Sequence, residues 1–214
     1  MTEATIGLEN VTFGYLGNVV IENLSFSIQQ GDFVAITGEN GAAKTTAMKL
    51  LLGLLKPWKG TRLWPVNLNV SYVPQQISSI EQDFPSTVFE FIVSGSWKSK
   101  KWYERITKED KERAKKLIDV FELQNVVDRP IGKLSGGQKQ KACVARAFMS
   151  QPDMLLLDEP TTGMDEKMRN VFYETLKNMC PHVTIVIITH HIKELKPYID
   201  QIIQLERRQD TCLN

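Results

Sequence analysis

The chain has 214 residues, with 26 basic side chains against 25 acidic ones and a net charge of +1, so it lacks the basic field of a dedicated nucleic-acid binder. At this length one large domain, or a domain with a subdomain, buries roughly 70% of the extended chain's surface, and no nucleic-acid partner is expected. Cys143, Cys180 and Cys212 are odd in number and far apart, a pattern of a reducing compartment that excludes a disulfide framework or zinc knuckle.

Residues 4–37 read as strands. Apolar positions alternate around Ile6, Leu8 and Val11, recur at Val19 to Ile21 and Leu24 to Ile28, and run together from Phe33 to Ile36. A helix is predicted from Lys44 to about Leu55, stopped by Pro57, and a short strand from Val70 to Val73, stopped by Pro74. Strand patterns then vanish over 76–135, where Thr87 to Ser94 and Lys108 to Leu123 read as helices. The polar, aromatic stretch Trp97 to Arg105 joins them. Beyond it come a helix from Gln138 to Met149, a strand from Met154 to Leu157, a helix from Glu166 to Asn178, a strand from Val183 to Ile188 and a strand from Gln201 to Leu205. Strands alternating with helices predict an α/β fold on a largely parallel sheet, with its sites at the carboxyl ends of the strands. No apolar run nears the ~18 residues of a spanning helix, and Met1 to Thr5 has no leader pattern. A cytoplasmic chain is expected, held at any membrane by a partner.

The Gly38-Glu39-Asn40-Gly41-Ala42-Ala43-Lys44-Thr45-Thr46 segment leaves a strand and opens a helix, which is the setting a phosphate-binding loop requires. Glycines turn backbone N–H groups inward, the helix start adds positive potential, Lys44 can reach β/γ-phosphates and the Thr45 hydroxyl can ligate magnesium. Ala43 departs from the glycine of that pattern. If the position needs positive φ, alanine costs ~1 kcal/mol or more; if it needs only a small residue, alanine is the least harmful replacement.

Met154 to Leu157 delivers Asp158 and Glu159 together at a strand end. One carboxylate can serve magnesium while the other activates water, although capping of the next helix is the alternative. Ser135 is a good N-cap, and Gly136 and Gly137 expose N–H groups at a helix start; the residues alone leave an anion site and an ordinary cap equally open. His190 after a strand, and Gln75 after Tyr72-Val73-Pro74, stand where side chains could reach a γ-phosphate or a metal ion, or be plain surface residues. Lys98, Lys100, Lys101 and Arg105 around Trp97, Trp102 and Tyr103 could approach anionic headgroups or form a solvated charge run.

Together these residues resemble the nucleotide-binding subunits of ABC transporters over nearly the whole chain. Gly38 to Thr46 looks like the Walker A loop, Gln75 the Q-loop, Leu134-Ser135-Gly136-Gly137-Gln138 the family signature, Leu155 to Glu159 Walker B, Thr161 to Asp165 the D-loop and His190 the switch histidine. The resemblance implies a P-loop core of RecA-like form with an antiparallel β subdomain, 1–75 and 138–214, and an inserted helical subdomain, 76–137. It also implies a head-to-tail dimer in which each ATP lies between one chain's Walker A loop and the other's signature. The roles implied are phosphate binding by Lys44 and the amides of Gly38 to Thr46, and magnesium binding by Thr45, Gln75 and Asp158. Glu159 would be the general base and His190 a γ-phosphate contact. Tyr15 would stack on adenine, Ser135 to Gln138 would close the site in trans, and Asp165 would couple the two sites.

Among such subunits the chain is most similar to the ATPases of zinc and manganese importers, through the Ala43 form of the loop, Phe84-Pro85-Ser86-Thr87-Val88 and Pro160 to Asp165. The partners this implies are a second copy, an integral-membrane permease and, indirectly, an extracytoplasmic metal-binding protein. The permease would dock a cytoplasmic helix near 75–94, placing the chain at the cytoplasmic face of the membrane. An iron-chelate system, or an ABC ATPase without transport function, is the alternative.

Overall fold

The computed structural model describes residues 5–39, 41–75, 84–99, 105–180 and 182–206. Asn40, Lys100 to Tyr103, Cys212 and the first part of the expected permease-docking segment lie outside them. Two sheets organise the described residues. A three-stranded antiparallel sheet has the order β2-β1-β4, from β1 (Ile6–Tyr15), β2 (Asn18–Ile28) and β4 (Lys59–Leu63). A five-stranded parallel sheet has the order β5-β6-β7-β3-β8, from β3 (Phe33–Gly38), β5 (Val70–Val73), β6 (Met154–Asp158), β7 (Thr184–Ile188) and β8 (Gln201–Leu205).

The parallel sheet is apolar on both faces, because each central strand sends alternate residues to opposite cores. Phe33, Ala35, Leu155, Leu157, Ile185 and Ile187 face a core built with the helices α2 (Val88–Val93), α3 (Lys108–Val120), α4 (Gly136–Phe148) and α5 (Glu166–Met179). Val34, Ile36, Met154, Leu156, Val186 and Ile188 face a second core shared with α1 (Lys44–Leu51) and the antiparallel sheet. The continuous strand runs in the sequence follow from this double burial.

Several boundaries differ from the sequence reading. The first helix stops at Leu51, well before Pro57, because Gly53 adopts φ 73 and closes it. Leu54 N–H donates to the Lys49 carbonyl at 2.9 Å and Gly53 N–H to the Leu50 carbonyl at 3.0 Å, a Schellman cap. A side chain at Gly53 would also meet the Arg62 guanidinium. The two strand runs between Val19 and Ile28 are one strand, β2, kinked where Asn23 takes φ 50. Strand β4 and the four-residue helix α6 (Ile192–Leu195) were not expected. The third helix ends at Val120, with Glu122 at φ 56, and a 3-10 turn from Ser94 to Ser99 prolongs α2. Capping boxes at Thr87 and Thr107 start α2 and α3, satisfying helix amides that would otherwise lack partners.

Burial pushes the Cys143 thiol up to about 12 and the Cys180 thiol up to about 11. In a Cys212→Ser background, native protein at pH 8 should therefore react with iodoacetamide roughly a hundredfold or more slowly than denatured protein, since only the thiolate is nucleophilic. Mass spectrometry of the quenched reaction checks this.

Candidate active site

Parallel register brings the carboxyl ends of the sheet into line. Ile36 pairs with Ile188, Asp158 with Ile188, Gly38 with Leu205 and Val73 with Leu157. One edge of the sheet thus carries the Gly38–Thr46 loop, Asp158-Glu159, Thr189-His190 and, beyond β5, the exposed Gln75.

The loop is shaped by close approach and by left-handed backbone. A Cβ at Gly38 would meet the Leu205 carbonyl, and Gly41 has φ 85. Ala43 sits at φ 57, ψ 27, which resolves the question its identity raised: the position is left-handed, and alanine accepts the strain. Lys44 is buried, and its Nζ donates to the carbonyls of Gly38 at 2.9 Å and Glu39 at 3.0 Å. Ala42 N–H donates to the Glu39 carbonyl at 3.1 Å, and Thr46 follows Thr45 into the first turn of α1.

Asp158 is 4% exposed and accepts two hydroxyl bonds at Oδ2, from Thr45 at 3.3 Å and from Tyr72 at 3.3 Å. Burial raises its carboxyl above the usual range; the Tyr72 and Thr45 hydroxyls and Lys44 work in the opposite direction. Tyr72, pushed up to about 12 by burial and by the Asp158 charge, remains a donor throughout the physiological range. Sequence reasoning passed over it. The available signal was a tyrosine near the carboxyl end of a strand that precedes Gln75 by three residues. Thr45 and Asp158 form a pair of hard oxygen donors beside a phosphate-type loop, a set suited to Mg2+ and unlike the sulfur and imidazole sets of structural zinc.

Glu159 is the second non-glycine residue of the site with left-handed backbone, at φ 52, anchored by its N–H to the Ile188 carbonyl at 3.0 Å and by Thr162 Oγ1 to its own carbonyl at 3.0 Å. Its Oε1 lies 2.8 Å from His190 Nε2. Burial holds its carboxyl above the usual glutamate range, opposed by the charges of His190 and Lys44. A carboxylate so raised, with one oxygen held by an imidazole, is equipped to orient a water and take its proton.

The remaining expected residues lie elsewhere in the described chain. Ser135 caps α4 through a reciprocal box with Gln138, at 3.4 Å from Gln138 N–H to Ser135 Oγ and 3.2 Å from Ser135 N–H to Gln138 Oε1. Gly136 is open, whereas a Cβ at Gly137 would come within 2.9 Å of Met168. Asp165 caps α5, its Oδ1 accepting from Met168 N–H at 2.8 Å. Among the described residues no hydrogen bond joins Ser135 to Gln138 with the Gly38–Thr46 loop. Tyr15 is 45% exposed at the end of β1, edge-on to Phe13 with ring centroids 5.0 Å apart.

Replacing Ala43 by glycine should raise stability by about 0.5–1 kcal/mol, the left-handed penalty outweighing glycine's greater unfolded entropy. A melting temperature higher by a few degrees, with ATP affinity retained, is the expected reading of a thermal scan.

The family model described as ABC transporter matches residues 21–162. The high-affinity zinc uptake system ATP-binding protein ZnuC of Bacillus subtilis is 43% identical over 210 residues, covering 94% of this chain and 91% of that protein. The zinc transport system ATP-binding protein AdcC of Streptococcus pneumoniae is 42% identical over 220 residues, covering 98% and 94%. Among solved structures, a metal-chelate type ABC transporter in an inward-facing conformation superposes with a TM-score of 0.82 at 28% identity, over 96% of this chain and 80% of that one. A dimeric bacterial ABC transporter cassette superposes at 0.77 with 25% identity, over 94% of each. The two-sheet architecture, the phosphate-type loop and the paired carboxylates thus have one explanation: this chain belongs to the ABC transporter family, as an ATP-binding subunit.

Proposed function

We propose that the chain is the ATP-hydrolysing subunit of a zinc importer, and that its active site is completed by a second copy of itself. The observation that carries the reading is the convergence of the Lys44 loop, Asp158 and the 2.8 Å Glu159–His190 pair on one sheet edge. ATP phosphates lie against the amides of Gly38, Glu39, Gly41, Ala42, Ala43, Lys44, Thr45 and Thr46, with Lys44 neutralising the β/γ-oxygens. Asn40, outside the described residues, is assigned to the same loop. Thr45, Gln75 and Asp158 hold Mg2+, which when bound neutralises charge on the phosphates. Glu159 orients the attacking water and accepts its proton, and His190 holds Glu159 and faces the γ-phosphate. Tyr15 offers its exposed face to adenine.

Ser135, Gly136, Gly137 and Gln138 of the second copy close the phosphates from the other side, and Asp165 lies at the junction. Support for this comes from the exposed Ser135 and Gly136 at the start of α4 and from the dimeric cassette that the fold matches. Zinc as cargo rests on the naming of the relatives above; they lend nothing to the manganese alternative. In this reading residues 76–137 form a helical subdomain on the core of 1–75 and 138–214. The subunit sits at the cytoplasmic face of the membrane, held by a permease that receives zinc from an extracytoplasmic binding protein. That placement is in keeping with the absence, among the described residues, of any helix long and apolar enough to cross a membrane.

Glu159→Gln should retain ATP binding and lower kcat by about a hundredfold or more, read by steady-state phosphate release. The raised Glu159 carboxyl also fixes a sign. Acidification protonates the base, so the acid limb of the kcat profile should lie above the ~4.3 of a free glutamate and vanish in the Gln variant. Deleting the gene should lower uptake of radioactive zinc, with rescue by the wild type and not by Glu159→Gln. Wild-type hydrolysis by the Gln variant would remove the enzymatic reading, and unchanged zinc uptake would remove the cargo.

A further inference from the structure

Two chains of polar contacts tie the segment that follows Glu159 to the segment around His190, and both run through α5. In the first, three buried hydroxyls line up: Thr161 Oγ1 lies 3.2 Å from Tyr173 OH, which lies 3.4 Å from Thr189 Oγ1. Thr161 is 2% exposed and Tyr173 and Thr189 are 0% exposed, so no solvent competes for these bonds. Thr189 immediately precedes His190, and its Oγ1 also accepts from the His191 N–H at 3.1 Å, fixing the backbone on both sides of the histidine.

In the second chain, Arg169 reaches both segments at once. Its Nη1 donates to the Met164 carbonyl at 2.6 Å, its Nη2 to Glu194 Oε1 at 2.9 Å and its Nε to Glu194 Oε2 at 3.3 Å. The guanidinium thereby grips the Thr161–Asp165 loop with one edge and α6, the helix directly after His190-His191, with the other. His191 Nδ1 lies 3.5 Å from the same Glu194 carboxylate. Both side chains of the pair are half-buried, and the guanidinium meets the carboxylate through two hydrogen bonds, a geometry that holds the pair in one orientation.

Arg169 and Tyr173 are four residues apart on α5 and share one face. Backbone pairing fixes the strand ends, with Glu159 N–H bonded to the Ile188 carbonyl at 3.0 Å, but the Glu159–His190 contact lies beyond both strands. Glu159 stands in a left-handed conformation just past the end of β6, and His190 lies two residues past β7. We propose that Arg169 and Tyr173 are positioning residues for hydrolysis: they clamp the loop after Glu159 to the segment carrying His190 and so set the distance between the two. Through Met164 the same clamp holds the loop that ends at Asp165. This rests on the catalytic reading of Glu159 and His190 given above.

Tyr173→Phe removes one oxygen while leaving the ring packed beside Phe172 and Tyr198. Glu194→Gln keeps the shape of the Arg169 partner and removes its charge. Each should lower kcat about fivefold, the worth of one well-placed hydrogen bond, with KM for ATP unchanged. In a His190→Ala background neither should lower single-turnover hydrolysis further, because they act through His190. A merely structural role predicts the same loss in both backgrounds, or a fall in ATP affinity, and either result overturns the clamp. Nuclear magnetic resonance of isotope-labelled histidine gives a second reading, in which the His190 resonance should shift in both variants while that of His182 stays. An unmoved His190 resonance also overturns it. Wild-type turnover by His190→Ala would instead overturn the catalytic assignment of His190, leaving the resonance to decide the clamp.

Discussion

Two adjacent carboxylates at the end of a strand that is buried on both faces are the constraint around which this molecule is arranged. An acid removed from water must be met by donors or it will hold its proton. Three groups near Asp158 answer that demand: the Thr45 hydroxyl from the start of α1, the Tyr72 phenol from the neighbouring strand, and the field of Lys44. Glu159 is met differently, by the His190 imidazole at 2.8 Å and by the field of Lys44, with no hydroxyl donor on its carboxylate among the described residues, and burial holds it too above the usual range. The sheet order serves this division, since β5 and β7 flank β6 and each supplies or introduces one partner.

Strain sits on the same edge. Ala43 and Glu159 both hold left-handed backbone conformations that alanine and glutamate disfavour, Ala43 directly before α1 and Glu159 directly after β6. The surrounding structure enforces them. Ala43 packs against the core beneath α1, and Glu159 is bonded at its amide and at its carbonyl. A strained residue at each of these two positions helps bring the amides of the Gly38–Thr46 loop and the Glu159 carboxylate to one sheet edge.

The runs Phe33 to Ile36, Met154 to Leu157 and Val183 to Ile188 could be read as buried strands because double-sided burial leaves almost no polar residue in them. The loop from Gly38 to Thr46 could be read because its residue types are set by backbone geometry. What escaped was set by tertiary contact. Gly53 ended α1 before Pro57 could, a competition between two stop signals that no local pattern ranks. Tyr72 matters only because β5 pairs with β6, and Arg169 with Glu194 only because α5 and α6 meet. Helix α6, at four residues, is too short to show a period. The pairing of Glu159 with His190 was equally unreadable, since thirty-one positions separate them and only parallel register brings them together.

Strand β4 has its own lesson. It lies on the outer edge of the antiparallel sheet, it is five residues long, and Lys59 to Arg62 are all exposed. Its glycine lets the backbone lie against the carbonyls of Glu9 and Asn10, and Arg62 turns back over the Trp64 ring at 4.7 Å. An open row of amides and carbonyls invites a stray chain to pair with it, and charge, brevity and a glycine all discourage that. The composition that hid β4 from a reading of strand propensity is therefore a safeguard against aggregation. In an ATP-binding subunit of this family, such an edge keeps a sheet that stands open on one side from recruiting strands at random.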